Sequence, residues 1–290
     1  MSAAECTCCG AMVDLPEDQA NTSCSFCGSP LVNVAAAEAA AIDLLVPFAI
    51  KADRARDALK QWLATRYFAP EAFRKAALSG KLSATFVPMY AFNGETASVY
   101  ESKIGIEYKV TTTDSEGKSK TETRTEWFTM SGKHGSRWVR NLVSASRGVT
   151  EPEANELEPF DLGEAVAWRP DLIAGTVSEL PSIPRDEARE TAHQELKDLA
   201  RRAIEHKLLP GDSKSVTSCS TEVTLEAPEL IMMPVWVGVV SAGENAVRVL
   251  VNGQTSEVVG AAPTSYLKVG LLILFILLVV AGIVAGAQYL

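Results

Sequence analysis

The sequence predicts an α+β protein with four parts: an N-terminal zinc ribbon, two α+β units rich in antiparallel strands, and a single C-terminal transmembrane helix. Three observations predict this class. Two C-x-x-C pairs lie within the first 27 residues, a strand-helix-strand pattern occurs twice in the middle of the chain, and a run of 19 residues near the end has no polar side chain. The corresponding segments are 1–33, 34–150, 151–265 and 266–290.

The ribbon is predicted from cysteine spacing. Cys6 and Cys9 form one C-x-x-C pair, Cys24 and Cys27 form another, and glycine directly follows each pair. Two thiolates at this spacing can point at one ion while the glycine permits a tight turn, so that two pairs complete a tetrahedral site. We therefore expect one structural Zn2+ bound by these four cysteines.

The other two cysteines leave alternatives open. Cys8 either replaces a neighbouring ligand or is a spare thiol, and Cys219 is interpreted as a small buried residue in a strand. Disulfides or a redox C-x-x-C compete with zinc, but the N-terminus has no signal-peptide pattern, and two pairs with matching glycines favour a metal. Thiolate ligands must be reduced, so we expect the bulk of the chain in the cytoplasm.

The C-terminal anchor is predicted at 269–287, which is long enough to cross a bilayer core as a helix. Tyr266 and Lys268 lie before it and Tyr289 after it, where aromatic rings and a lysine favour the membrane interface. The alternative is a buried core helix. The interpretation is a tail-anchored, single-pass protein of the cell membrane, with the lipid bilayer as a partner.

Each α+β unit is predicted from periodicity. In the first unit a helix at 52–66 places Ala55, Leu59, Trp62 and Leu63 on one face, and strands at 104–110 and 121–130 form a hairpin. In the second unit a helix begins near Pro184, strands follow it, and a hairpin turns at Asn252 and Gly253. The apolar stripe of that helix is predicted to comprise Ala188, Ala192, Leu196, Leu199, Ala203 and Leu208.

A faint internal repeat relates the two units. Val46-Pro47-Phe48, a helix and Val87-Pro88-Met89-Tyr90 correspond to Glu158-Pro159-Phe160, a helix and Met233-Pro234-Val235-Trp236. We interpret this as a duplication, with chance similarity of short proline motifs as the alternative.

Charge and motif content exclude several functions. The net charge is -9, and it divides into -4 for the ribbon, +5 and -11 for the two units and +1 for the anchor, which argues against nucleic-acid binding by the ribbon. The chain has three histidines and no nucleophile-elbow, zincin or dinucleotide motif. The stretch from Ser131 to Gly135 is interpreted as a turn and not as a phosphate loop. We therefore expect no enzymatic activity.

The chain resembles a family of bacterial membrane-associated proteins that carry a TFIIB-type zinc ribbon. The resemblance rests on the two cysteine pairs and on further motifs over most of the chain. It implies an association with SPFH-domain (flotillin-like) or phage-shock-type partners in envelope stress. The further motifs are Val46-Pro47-Phe48, Phe86 to Tyr90, Pro159-Phe160-Asp161, Met233 to Trp236 and the VNGQT turn from Val251.

These observations predict a non-enzymatic, tail-anchored zinc-ribbon adaptor that recruits protein partners to the membrane. Gly282 and Gly286 form a G-x-x-x-G pair in the anchor, which predicts homo-oligomers through close helix contact. The alternative is a membrane-tethered regulator that binds nucleic acid through the ribbon.

Overall fold

A computed structural model of the chain describes residues 2–5, 12–15, 21–23, 30–32, 40–80, 82–113, 119–242 and 245–288. The helices and strands of these residues are numbered here in chain order. The α-helices are α1 (Ala52–Ala64), α2 (Glu71–Ser79), α3 (Glu151–Leu157), α4 (Arg185–Ala203) and α5 (Tyr266–Gln288). The strands are β1 (Ser2–Glu5), β2 (Met12–Leu15), β3 (Asn21–Ser23), β4 (Pro30–Val32), β5 (Leu44–Leu45), β6 (Leu82–Thr113), β7 (Ser119–Ser144), β8 (Val166–Ala167), β9 (Val177–Ser178), β10 (Ser213–Leu225), β11 (Glu229–Ala242), β12 (Asn245–Asn252) and β13 (Val258–Gly260).

The chain divides into two compact lobes. Lobe 1 comprises Met1–Met89, Ser146–Ser182 and Ile231–Leu290, and lobe 2 comprises Tyr90–Ala145 and Ile183–Leu230. Each lobe is therefore built from segments that are far apart in the sequence.

Lobe 1 contains two small hairpins and a layered core. Strands β1 and β2 pair antiparallel, as do β3 and β4, and β11 pairs antiparallel with β12, which pairs with β13. Helices α1 and α2 bury Leu59, Leu63 and Phe73 against Val249 and Val251 of β12. This burial follows from the i, i+4 spacing of apolar residues in α1, which puts them on one face.

Lobe 2 is a sheet covered by one helix. Strand β6 pairs with β10 in antiparallel register from Gly94 to Gly105, and it also pairs with β7. The core of this lobe includes Tyr100 and Ile104 of β6, together with Ile204 at the end of α4. Alternate residues of β6 are buried, as expected for a strand with one face on a core.

Several predicted elements are confirmed. Helix α1 buries Ala55, Leu59 and Leu63, and α4 begins directly after Pro184. The hairpin at Asn252 and Gly253 is formed by β12 and β13. The buried stripe of α4 differs from the prediction at its C-terminal end, because it continues at i, i+4 spacing and Leu208 is exposed. Its fully buried members are Ala188, Ala192, Leu196, Ala200 and Ile204.

The predicted fold class, with its two successive α+β units, is wrong. In the part of the chain that the structure describes, nine strands form one mixed sheet, and strands from both predicted units pair directly. In lobe 1, Leu44 and Leu45 lie in parallel register with Ile231 and Met232. In lobe 2, β6 and β10 pair although they are far apart in the sequence. Hydrophobic periodicity reports which faces are buried and does not report which distant strand completes the sheet.

The prediction of a turn at 131–135 is also wrong, because β7 continues through this stretch. Gly132 lies directly beneath the ring of Tyr100, where a Cβ would come within 2.7 Å of the tyrosine hydroxyl. The glycine therefore makes room for a cross-strand aromatic ring, and it does not break the strand.

The predicted transmembrane anchor and the predicted location in the cell membrane are corrected as well. Among the residues whose side chains the structure describes, no helix is long and apolar enough to cross a membrane. The Nζ of Lys268 donates to the carbonyl of Ala69 at 2.7 Å.

An ion pair joins α3 to β12. The Nη2 of Arg248 lies 2.6 Å from Oε2 of Glu153, and the same guanidinium donates to the carbonyl of Gly148. Glu153 also accepts from the backbone and the hydroxyl of Thr150 at the start of α3. Burial raises the pKa of the Glu153 carboxyl, but the hydrogen bonds from Arg248 and Thr150 and the charge of Arg248 outweigh it, and the net pKa is lowered.

We predict that the Glu153 carboxylate makes the stability of the fold depend on pH. Because its pKa in the folded state is below the unfolded value of about 4.3, its contribution is present above about pH 4.3 and is lost as the pH falls through the folded pKa. In urea unfolding, Glu153→Gln should therefore be less stable than the wild type at neutral pH and less sensitive to acid. Glu156→Gln, an exposed change in the same helix, should follow the wild type, and an unchanged acid slope in Glu153→Gln would contradict the prediction.

Candidate functional site

The predicted zinc ligands Cys6, Cys9, Cys24 and Cys27 lie outside the described residues, as does Cys8. Their positions along the chain are nonetheless informative. The first pair lies in sequence between β1 and β2, and the second pair lies between β3 and β4. Each C-x-x-C pair thus belongs to the connection of an antiparallel hairpin, where zinc knuckles occur.

The described part of the chain contains no group of three or more His, Cys, Asp and Glu side chains that could hold a metal. Cys219, which the sequence predicts to be buried, is half-buried beside the core of lobe 2, and its Sγ lies 3.5 Å from the hydroxyl of Thr221. The zinc prediction therefore depends on the four N-terminal cysteines.

The histidines are not brought together in either lobe. In lobe 2, His134 lies in β7 and its Nε2 is 2.8 Å from the hydroxyl of Ser136. It borders an open cavity of about 420 Å3 on the exposed face of the sheet, with Lys133 and Glu222. His193 lies within α4, and His206 is exposed in the turn that follows.

The proline motifs behind the family resemblance meet in lobe 1. The ring of Phe48 packs edge-on against Phe86 and against Trp236, with ring centroids 5.2 Å apart in both cases. These three rings come from three different motifs, and edge-on packing is a favourable arrangement of aromatic rings. We call the place where these motifs and the VNGQT turn meet the motif junction.

Asn252 is the polar centre of the motif junction. Its Nδ2 donates to the carbonyls of Leu157 at 2.7 Å and Pro159 at 3.1 Å, and its Oδ1 accepts from the backbone N–H groups of Gln254 at 2.8 Å and Thr255 at 3.0 Å. The residue is fully buried. Both donors and both acceptor positions of the amide are therefore satisfied inside the protein.

Gly253 completes the junction by close contact. Its N–H donates to the carbonyl of Pro234 at 2.8 Å, and its own carbonyl accepts from the N–H groups of Ala49 and Ile50. A Cβ at this position would come within 2.7 Å of the Phe48 ring and of the Pro234 carbonyl. Only glycine fits here without displacement of the backbone.

A second contact of the same turn reaches the segment after α3. The backbone N–H of Asp161 donates to Oε1 of Gln254 at 2.9 Å, and Nε2 of Gln254 lies 3.3 Å from the Asp161 carbonyl. The VNGQT turn therefore binds the segments around residues 48, 159 and 234. The sequence predicts this turn only as a hairpin, because its side-chain contacts are with distant residues.

A polar cleft of about 410 Å3 adjoins this turn in lobe 1. It lies between α1 and residues 255–258, and Ser256 adopts a positive φ of 72° at its rim. Neither histidine nor cysteine lines this cleft, so it offers hydrogen bonds and charges but no nucleophile-base pair. Its polar lining includes Arg54, Asp57, Gln61, Thr65 and Glu257.

The hairpin formed by β6 and β7 exposes three apolar side chains on one face in lobe 2. The hydroxyls of Thr111 and Thr121 lie 3.1 Å apart, which places residue 111 opposite 121. In this register Ile106, Tyr108 and Phe128 lie on one face, and they are 46%, 45% and 43% exposed. We call these three residues the hairpin patch. It continues along β6 from Ile104, which is the last residue on this face of the strand that is buried in the core of lobe 2.

Comparison with protein-family models, with curated proteins and with solved structures finds no match. The resemblance that rests on the cysteine pairs and the proline motifs therefore stays a prediction.

We predict that Asn252→Ala destabilises lobe 1 by about 3 kcal/mol or more, because it leaves buried carbonyls unpaired. Urea unfolding at neutral pH measures this loss. Gln254→Ala removes more exposed hydrogen bonds of the same turn and should cost about 1 kcal/mol. Equal effects of the two substitutions would show that the buried amide has no special role.

We predict that the purified chain contains about one zinc ion, and that Cys24→Ser lowers this content strongly because a tetrahedral thiolate site loses one ligand. Cys219→Ser should keep the zinc, and so should Cys8→Ser if Cys8 is a spare thiol. Mass-spectrometric metal analysis after gel filtration gives the result. Full zinc content in Cys24→Ser would contradict the predicted ligand set.

Proposed function

We propose that the chain is a non-enzymatic zinc-ribbon adaptor that binds other proteins. The observation that carries the proposal is the position of both C-x-x-C pairs in the connections of antiparallel hairpins, β1 with β2 and β3 with β4. Zinc bound there would join the two hairpins and would have a purely structural role.

The second hairpin has a defined place in lobe 1. Strand β3 lies beside β9, and β4 lies beside the short helical turn Pro170–Ile173. Ile173 is itself fully buried with Leu45, Phe86 and Met232. The hairpin that contains the second cysteine pair therefore contacts elements that pack on this core, which would support a bound partner.

The hairpin patch supports protein binding independently of the ribbon. Aromatic residues are enriched at protein interfaces, and exposed apolar side chains grouped on one face are typical of interaction sites. Tyr108 and Phe128 lie on such a face of the hairpin, where both side chains are exposed. A groove or sheet of a partner protein would bury this face.

The partner class follows from the resemblance. We propose SPFH-domain or phage-shock-type proteins as the first candidates to examine. Nucleic acid is a weaker candidate, because the first 33 residues contain four acidic and no basic side chains. We also propose that two copies of the chain contact each other through Gly282 and Gly286 of α5. Gly282 has open space beside it, since a Cβ at this position would meet no other atom within 4 Å.

We predict that the full chain, used as bait in an extract of its source cells, retains a specific set of proteins identified by crosslinking and mass spectrometry. Cys24→Ser should lose those that bind the ribbon. Tyr108→Ser should weaken retention of those that bind the hairpin patch by about tenfold or more, as expected for a buried aromatic contact.

The controls are Cys219→Ser for the ribbon and Tyr67→Ser for the patch, since Tyr67 is an exposed tyrosine of lobe 1. Both should retain the wild-type set. If all four variants retained the same proteins as the wild type, the adaptor proposal would be wrong.

A further inference from the structure

The outer edge of β7 is open. Within the described residues β7 pairs with β6 alone, so the other edge of its first half presents unpaired backbone groups. The hydroxyl of Ser102 donates to the carbonyl of Met130, and that of Thr96 donates to the carbonyl of Ser136. Carbonyls of even-numbered residues of β7 thus point toward β6. Those of odd-numbered residues, Thr123 among them, point to the open edge.

The charges along this edge alternate in sign. Lys120, Glu122, Arg124 and Glu126 occupy successive even positions of β7, and all four point to the same face. Along their own strand, Lys120 Nζ lies 2.9 Å and Arg124 Nη2 lies 3.9 Å from the Glu122 carboxylate, and such solvent-exposed ion pairs contribute little to stability. When two strands with this series of four alternating charges run antiparallel, each charge can face an opposite charge of the other strand.

We propose that β7 pairs antiparallel with β7 of a second copy of this chain, with the twofold axis at Thr123. In this register Thr123 lies opposite the partner's Thr123. Glu122 lies opposite the partner's Arg124, and Lys120 lies opposite the partner's Glu126. Opposite charges that face each other across neighbouring strands stabilise a sheet, and like charges destabilise it. A shift by two residues would place like charges opposite one another.

The neighbouring edges of lobe 2 do not offer this pairing. On β10, Arg201 donates to the carbonyl of Val216, and Arg189 donates to the carbonyl of Leu225. On β6 beyond the end of β10, the carboxylate of Asp212 accepts from the N–H of Glu107 at 2.9 Å. Side chains of the same lobe thus occupy backbone groups of those edges.

Pairing through β7 would give a four-stranded sheet made of two hairpins. Residues opposite each other in an antiparallel pair point to the same side, so both hairpin patches would lie on one face of this sheet. From Ser119 to Trp127 the edge would form on the order of ten main-chain hydrogen bonds between the copies. The association needs neither the zinc site nor a foreign partner, and it is independent of the adaptor function.

Sedimentation equilibrium of the full chain tests this association, with a mild detergent to cover the exposed side chains of α5. The wild type should associate into dimers. Glu122→Arg should weaken association by about tenfold or more, because it places two arginines opposite each other at two symmetric positions. Arg124→Glu should do the same with two carboxylates.

An equimolar mixture of these two variants is the decisive sample. In a mixed dimer the introduced arginine of the first variant faces the introduced glutamate of the second, and the unchanged Arg124 of the first faces the unchanged Glu122 of the second. The mixture should therefore regain dimers although each variant alone does not, and a folding defect would not be repaired by mixing. Glu101→Arg, the same change on the exposed face of β6, should dimerise like the wild type.

Three results would overturn the proposal. A monomeric wild type would show that the edge stays unpaired, and wild-type association of Glu122→Arg would show that another surface carries the contact. A mixture that stays monomeric would show that charge complementarity at this edge is not the cause.

Discussion

The fully buried amide of Asn252 is the interaction on which lobe 1 depends. Its four hydrogen bonds join the end of α3 to the turn between β12 and β13. This turn also holds Gly253 against Pro234 and Phe48. The position of the segment before α1 is thereby fixed. A buried polar group whose partners lie in separate segments specifies one arrangement of those segments, since any other arrangement leaves it unpaired.

The same contacts explain the proline motifs. Each motif supplies one part of the junction: Phe48, Phe86 and Trp236 supply rings, Pro159 and Pro234 supply carbonyls, and Asn252 supplies the amide. The sequence similarity of these motifs between the two halves of the chain suggests a duplication of whole units. In the structure they meet at one junction of lobe 1, where they have different roles.

Local elements are predictable because their signals are local. The i, i+4 spacing in α1 and the Asn-Gly pair before β13 each depend on a few neighbouring residues. The long strands are not predictable as single elements. The glycine at position 132 is typical of a turn, and only the contact with Tyr100 explains why it lies within a strand. Pairing of Leu44 with Ile231 has no local signal at all. The apolar run of α5 suggests a membrane helix, whereas among the residues whose side chains the structure describes no helix is long and apolar enough to cross a membrane.

The proposed function depends on zinc bound by the four N-terminal cysteines, and X-ray absorption at the zinc edge of the purified full chain measures this binding. We expect one zinc ion per chain with four sulfur neighbours at about 2.3 Å. A first shell with nitrogen or oxygen ligands, or a chain purified without zinc, would contradict it.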